Sequence, residues 1–405
     1  MKILYFHQYF NLPTMAGGTR SYEMARHLIE RGHQVTMVCG QERNGKMDLQ
    51  PTKKKNIRRG IIDGIDIISI SIPCSNNMGL GARTKAFLRF AWHGIKIAMK
   101  EDYDVLFATS TPLTVGIPGI VMKLMGRSKR FIFEVRDLWP ELPKALGMKN
   151  PILLWGMSML EWLSYHMADG CVGLSPGICE GIRRRSQKNK SIAMVPNGCD
   201  LDIFKPSLRE PLQLEGVSAT DKIAIFTGAH GVANGLDAVL NAAKEVMNMG
   251  RDDIKFVLVG TGNEKVHLMG RAKKEGLTNC LFFNPIPKIQ LAKLVASGNV
   301  GLMILKNVPA FYYGTSPNKF FDYIASGLPI LNNYPGWLAE MIEENRIGEV
   351  VEPDNAKAFA DALVRMMDDE TALSEYSKNA RVFAEKKFDR VKLGNKFVDF
   401  IEKIV

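Results

Sequence analysis

Short apolar runs of four to seven residues alternate along the chain with longer stretches whose apolar positions recur at helical spacing, the pattern of βαβ units around a parallel sheet. In the first half it predicts strands at 3–6, 34–38, 65–70, 105–108, 130–135, 170–173 and 193–195, with helices at 20–31, 84–100, 115–124, 152–167 and 176–184. The pattern breaks at Pro196-Asn-Gly198 and loosens through the polar, proline-punctuated stretch 205–211. It restarts with strands at 222–227, 255–259, 280–283, 300–304, 329–332 and 348–351, and closes in helices at 355–368, 370–386 and 390–404. A chain of 405 residues exceeds the size at which one core keeps growing. Two Rossmann-like, doubly wound α/β domains follow, 1–200 and 201–384. Open α/β sheets bind ligands beyond the carboxyl ends of their strands, so chemistry is expected in the loops there, facing a cleft.

Four of those loops carry candidate residues. The first βα turn, 10–21, holds Gly17 and Gly18 just before a helix, where bare backbone and a helix N-terminus suit an anion. Its spacing is not G-x-G-x-x-G, which argues against hydride chemistry. A second glycine loop, 227–237, opens the second half in the equivalent place with Gly228, His230 and Asn234; a lone histidine there is otherwise an ordinary surface residue. The strand ending at Val135 runs into Arg136 and Asp137, candidates for substrate contact or, alternatively, a buried pair that fixes the loop. The segment Ser316-Pro-Asn-Lys-Phe-Phe-Asp-Tyr-Ile-Ala-Ser-Gly327 reads as a capped helix of about three turns, with Ser316 as N-cap, Pro317 at the first helical position and Lys319 in the first turn. Asp322 is expected on the same face as Lys319, placed to accept hydrogen bonds from sugar hydroxyls.

Composition narrows the classes. With 46% hydrophobic and 23% charged residues the chain is globular, and 53 basic against 42 acidic side chains leave +11, which favours an anionic partner. Six cysteines (Cys39, Cys74, Cys171, Cys179, Cys199, Cys280) lack C-x-x-C spacing, which suggests neither zinc nor a disulfide framework. The first residues lack signal-peptide character, so a cytoplasmic location is expected. The apolar stretch 151–168 is interrupted by Ser158, Glu161, Ser164 and His166 and reads as a buried core helix rather than a span. Segment 83–96 mixes Arg83, Lys85, Arg89 and Lys96 with Phe87, Phe90 and Trp92, near the basic runs Lys53-Lys-Lys55 and Arg58-Arg59. Peripheral docking on an anionic bilayer is the expectation there, against a plain amphipathic helix with a solvated basic face.

Five motifs in order, Gly17-Gly18-x-Arg20-x-x-Glu23-Met-Ala, Val135-Arg-Asp-Leu-Trp-Pro140, Val195-Pro-Asn-Gly-x-Asp200-x-Asp-x-Phe204-x-Pro, Gly228-x-x-Gly-x-Ala-Asn-Gly-Leu-Asp237 and the 316–327 segment, resemble the retaining glycosyltransferases of family 4, with the GT-B fold. The resemblance spans nearly the whole chain. It implies an N-terminal acceptor domain, a C-terminal nucleotide-sugar domain, a diphosphate bound without a metal or other cofactor, and a last helix, 385–405, returning to the first domain. The family's glutamate pair falls on Gly314 and Asp322, and its arginine and lysine after the first strand of the donor domain fall on Ala229 and Asn234, leaving Lys319 to meet the diphosphate. The histidine often found after the 130–135 strand is here Arg136. These departures resemble a branch with N-acetylfucosamine transferases of O-antigen and capsule synthesis, which implies a UDP-activated N-acetylated amino sugar and a lipid-linked saccharide acceptor.

The resemblance further implies Lys319, Arg136 and Asp137 as catalytic candidates. Gly17, Gly18, Gly228, His230, Asn234, Ser316, Asn318 and Asp322 are implied at the donor, with Asn284, Pro285 and Ile286 at the uracil. Front-face transfer, in which the phosphate takes the acceptor's proton, needs no protein nucleophile and suits the bare Gly314. Two other classes compete. A sugar-nucleotide epimerase of the same architecture needs acid/base groups around the sugar, where Gly314 offers none; a nucleic-acid-binding protein needs a module that the chain does not display.

Overall fold

The computed structural model describes residues 1–15, 17–41, 46–53, 56–74, 78–126, 129–211 and 214–405, and Lys54 and Lys55 of the expected basic run lie outside them. The chain forms two compact units: Met1–Pro196 with Gly314–Ser316 and Val391–Val405, and Asn197–Tyr313 with Pro317–Arg390.

In unit 1 the described residues form strands β1 (Lys2–Phe6), β2 (Gln34–Gly40), β3 (Gln50–Pro51), β4 (Ile57–Ile62), β5 (Ile65–Ile70), β6 (Val105–Thr109), β7 (Arg130–Val135), β8 (Gly170–Gly173) and β9 (Ser191–Met194), in the sheet order β3-β4-β5-β2-β1-β6-β7-β8-β9. All pairings are parallel except those of β4, which runs antiparallel to both neighbours. Ile3, Leu4, Tyr5 and Phe6 are all buried, as expected of a strand covered on both faces. Strands β3 and β4 at this edge are absent from the predicted set, and β4 joins β5 by a hairpin whose turn residues Asp63 and Gly64 both take positive φ, so the Asp-Gly signal was present.

Helices Leu80–Ala98, Ile117–Leu124 and Pro151–Met167 form one layer, each packed on the next, over a core that includes Phe6, Phe90, Leu106, Phe131, Phe133 and Tyr165. The expectation of a buried helix at 152–167 is corrected here. Its buried residues are Glu161, Ser164 and Tyr165, while Ile152, Trp155, Met159 and Trp162 are exposed. The reason is a charge facing inward: Glu161 accepts hydrogen bonds from Tyr165 Oη (2.7 Å) and Trp139 N (2.9 Å) and pairs with Arg185 (2.9 Å).

Unit 2 is a parallel sheet of β10 (Lys222–Thr227), β11 (Ile254–Val259), β12 (Cys280–Phe283), β13 (Val300–Met303), β14 (Ile330–Asn332) and β15 (Gly348–Val350), ordered β12-β11-β10-β13-β14-β15. The segments by which the chain enters and leaves this unit are zipped together. Cys199 N donates to Phe388 O (2.7 Å), Arg390 N donates to Cys199 O (3.1 Å), and the buried Asp200 pairs with both Arg390 and Lys288. The last helix, Arg390–Ile404, lies almost wholly in unit 1, where Phe397 meets Phe107 edge-on at 5.1 Å and Arg31 pairs with Asp399 and Glu402.

One buried charge network fixes the carboxyl side of the unit 1 sheet. Arg20, at the start of helix Arg20–Glu30, donates to Glu134 Oε2 from Nε (3.1 Å) and Nη2 (2.7 Å), and to the carbonyls of Val195 and Pro196. Glu134 also accepts from Thr109 Oγ1 (2.7 Å) and Arg136 Nε (3.3 Å). Burial alone would raise the Glu134 carboxyl; the guanidinium charges of Arg20 and Arg136 override it and hold it below the usual range. Glu134→Ala leaves two guanidiniums facing an empty acceptor, and is expected to cost unit 1 about 3–5 kcal/mol. Hydrogen exchange of the unit 1 strands in urea reads this directly, and an unchanged midpoint would show that the network does not hold the sheet.

Candidate active site

Each sheet has one point where the chain reverses its winding: β1, flanked by β2 and β6, and β10, flanked by β11 and β13. Ligands of open α/β sheets bind at such points, and both predicted glycine loops begin there.

In unit 2 the loop after β10 is held against the loop after β11 by backbone bonds, His230 N to Thr261 O (3.0 Å) and Glu264 N to His230 O (3.0 Å). The approach is so close that a Cβ on Gly260 would lie 1.8 Å from Gly228 O, and one on Gly262 2.2 Å from His230 O. Only hydrogen fits at either place. Helix Asn318–Ala325 is tied to β10 through Tyr323, whose hydroxyl accepts from Thr227 N (2.9 Å) and donates to Ile225 O (3.2 Å). That tie sets Lys319 against the loop: its Nζ stands 4.0 Å from the Phe226 ring centroid, donates to Asn234 Oδ1 (3.0 Å) and lies beside the bare Gly228. Asn234 in turn donates to Ala229 O (2.7 Å), which closes the loop on itself.

Desolvation pushes Lys319, 8% exposed, down to about 7. His230 is fully buried, neither ring nitrogen has a hydrogen-bond partner, and burial with the charges of Lys265 and Lys319 lowers it to about 4, so at neutral pH it is an uncharged donor and acceptor without a partner. Lys265, missed by the sequence reading, donates to Gly260 O (2.9 Å), Phe283 O (2.8 Å) and Asn284 Oδ1 (3.0 Å). Its signal was available as a third glycine turn, Gly260-Thr-Gly-Asn-Glu-Lys265, directly after a predicted strand. Of the expected uracil contacts, Asn284 is therefore oriented by Lys265, and Pro285 and Ile286 follow it in the same loop.

Three expectations about the 316–327 segment are corrected. The helix has eight residues, about two turns, and begins at Asn318. Pro317 is its N-cap with ψ 130, so Ser316 stands one position too early to cap it, and no side chain does. The N–H groups of the first turn, from the exposed Asn318 onward, thus have no side-chain cap. Asp322 does not share Lys319's surroundings: burial raises it to about 7, and the charges acting on it are Lys288, Asp200 and Arg390.

In unit 1, Gly17 (φ 130) and Gly18 are exposed before helix Arg20–Glu30. Arg136 and Asp137 follow β7 but do not form a salt bridge with each other. Arg136 pairs with Glu134 and bonds Thr109 Oγ1 (2.8 Å) and Ser21 Oγ (3.0 Å), while Asp137 accepts from Thr111 Oγ1 (2.9 Å). Burial raises the Asp137 carboxyl, partly offset by Thr111 and Arg136. The structure thus gathers Gly228, His230, Asn234 and Lys319 into one cluster. Among the described residues no group of three or more His, Cys, Asp or Glu side chains is placed to hold a metal.

Residues 213–383 match the family model "Glycosyl transferases group 1", and residues 17–203 match "Glycosyltransferase Family 4". The chain is a GT-B glycosyltransferase. The transferase is 26% identical over 298 residues, 70% of each chain, to the "Putative colanic acid biosynthesis glycosyl transferase WcaI" of Escherichia coli (strain K12). In fold it resembles sucrose-phosphate synthase from Thermosynechococcus elongatus (TM-score 0.77, 18% identity, 100% and 98% of the two chains). It also resembles Anabaena Alr3699/HepE in complex with UDP-glucose (TM-score 0.70, 15% identity, 100% of each chain).

A Cβ on Gly262 forces the His230 carbonyl, and with it the loop after β10, away from its seat. Gly262→Ala is expected to overpack this contact and destabilise unit 2 by about 1–3 kcal/mol. Urea unfolding of the variant checks this, and an unchanged midpoint would show that the two loops part without cost.

Proposed function

We propose that the chain transfers an N-acetylated amino sugar, with retention of configuration, from a UDP-sugar to a lipid-linked saccharide in the synthesis of a bacterial surface polysaccharide, at the cytoplasmic face of the membrane and without metal or other cofactor. The observation that carries the reading is Lys319, a buried cation with no counter-charge, set beside a glycine loop and at the uncapped start of a helix. Such a place suits a diphosphate, whose charge grows as the anomeric bond breaks, and donors aimed at it are the main catalytic device. In this reading His230, Asn318 and the backbone at Gly228 share the phosphates with Lys319. Asp322 takes the ribose, the 284–286 loop takes the uracil, and unit 1 takes the acceptor, with Arg136 and Asp137 as catalytic candidates. The colanic acid name of the Escherichia coli relative supports the polysaccharide assignment, and the UDP-glucose complex supports the nucleotide. The family models favour transfer over the epimerase alternative.

The two shifted groups make donor binding bell-shaped in pH. Lys319 is about 7 in the free chain, and a diphosphate raises it, so above about pH 7 binding must take up a proton and affinity falls toward tenfold per pH unit. Asp322 is also about 7 when free, and hydroxyl donors lower it, so below that pH binding must release a proton and affinity falls again. Titration of UDP-N-acetylglucosamine from about pH 5 to 9 tests both limbs. Lys319→Ala should flatten the alkaline limb and lower turnover about 10²–10³-fold, while Asp322→Asn should flatten the acid limb. Unchanged turnover in Lys319→Ala would overturn the assignment.

A further inference from the structure

Strand β1, where the unit 1 sheet reverses its winding, runs directly into His7 and Gln8. Both stand past the carboxyl end of the strand, yet their backbone stays bonded to β2: His7 N donates to Val38 O (3.0 Å), and Gly40 N donates to Gln8 O (3.0 Å). Glycine at 40 permits that approach, since a Cβ there would lie 2.8 Å from Gln8 O and 3.3 Å from its side chain. The two side chains are 4% and 3% exposed, and His7 Nδ1 and Gln8 Oε1 are buried with no hydrogen-bond partner among the described residues. Buried polar atoms are nearly always paired, and leaving them unpaired destabilises a fold. Unit 2 repeats the arrangement, because the loop after its own switch strand β10 buries His230 with both ring nitrogens unpartnered. Two unsatisfied groups in succession, at the place where open sheets bind ligands, point to a ligand that satisfies them.

Charge and hydrogen-bonding capacity identify its chemistry. His7 falls on the same side of β1 as Tyr5, whose hydroxyl donates to Ser21 Oγ (3.2 Å), the atom that also accepts from Arg136 Nη2 (3.0 Å). Burial and the Arg136 charge hold the His7 imidazole well below its usual value, so it is neutral. Gln8 lies on the other side, against Gly40 at the end of β2, so the two unpaired atoms straddle the head of β1. The charged neighbours, Arg20 and Arg136 against Glu134 and Asp137, carry two charges of each sign and leave none over to draw an anion. A hydroxyl, unlike an anion, both donates and accepts, so it satisfies the imidazole in either tautomer and the amide in either orientation. Hydroxyls on both sides of one small ring are what a sugar presents.

We propose that His7 and Gln8 receive the hydroxyls of a neutral sugar ring and so set which saccharide unit 1 accepts. The inference rests on the reading of unit 1 as the acceptor unit and adds the residues that select the sugar. The probes are methyl glycosides of glucose, galactose, N-acetylglucosamine and fucose, with methoxytetrahydropyran as the ring without hydroxyls and inorganic phosphate as the anion. The full chain carries isotope-labelled histidine, and the His7 ring signals are identified by their loss in His7→Phe. At least one glycoside is expected to move the His7 Nδ1 signal, while phosphate and the hydroxyl-free ring leave it in place. His7→Phe and Gln8→Met should each weaken that glycoside about tenfold or more, read by saturation transfer from the chain, because a site built for hydroxyls loses heavily when a partner is removed. Both replace unpaired atoms at similar volume, so the urea midpoint should hold or rise; a lowered midpoint with glycoside affinity intact would give the pair a structural role only. No shift with any glycoside, or a shift with phosphate alone, overturns the proposal. UDP titration of the same sample reports unit 2 separately: UDP binding without glycoside binding defeats this inference alone, and glycoside binding without UDP binding defeats the donor assignment alone.

Discussion

An ammonium group taken out of water without a counter-ion is costly, and unit 2 is organised around tolerating one. Lys319 is held over an aromatic face and against one amide oxygen, which compensate its charge only in part, and desolvation lowers it to about 7. The group cannot relax into solvent, because the helix that carries it is fastened to β10 by Tyr323. Tyr323 reaches its bonds only because residue 301 is glycine, where a Cβ would come within 2.6 Å of the ring. On the other side the loop after β10 is fixed by the backbone approach at Gly260 and Gly262. Strand order, helix position and three glycines therefore converge on one incompletely satisfied charge.

Unit 1 contains a comparable concentration of buried charge, and it resolves differently. Arg20 and Arg136 share the one carboxylate of Glu134, which leaves one positive charge in excess, but each guanidinium has a counter-charge in contact and further N–H groups donating to carbonyls and hydroxyls. A cation held by a carboxylate and carbonyls is positioned to shape a loop, whereas Lys319, with no carboxylate in contact, is the stronger candidate for an anion. The contrast also changes the meaning of Arg136, whose side chain is engaged in the Glu134 network, while Asp137 beside it is desolvated and bonded only to a threonine hydroxyl.

The alternation of apolar runs with helical spacing carried the two sheets, since strands buried on both faces read as unbroken Val, Ile, Leu and Phe. It missed β4, whose Arg58 and Arg59 interrupt the run and whose partner is supplied by the Asp63-Gly64 turn rather than by a crossover. Lys319 was legible because first-turn lysine after a proline is a local signal. Lys265 was signalled by its glycine turn, but its partners and the burial of His230 were not legible, because both depend on a neighbouring loop that sequence spacing does not bring near. Asp322 illustrates the same limit: helical geometry puts it three residues from Lys319, but its field comes from Asp200, Lys288 and Arg390.

Helix 151–167 failed for a different physical reason. The helix is apolar on both faces, so that while Met157, Leu160, Leu163 and Met167 pack on the core, an apolar face is still left outside. Here Glu161 is anchored inside by Tyr165, Trp139 and Arg185, and once that polar knot is fixed the helix has no rotation left that would hide Trp155 and Trp162. Turning the helix to bury the tryptophans would strand the carboxylate, Arg185 and the Trp139 amide, losses that together offset the gain from burying the two rings. The exposed stripe is thus enforced from within. Consistency between local pattern and fold is the rule in stable chains, and a violation maintained by a buried network points to a function that offsets its cost. The uncancelled Lys319 in unit 2 and the tryptophan face in unit 1 are two such violations, one electrostatic and one hydrophobic.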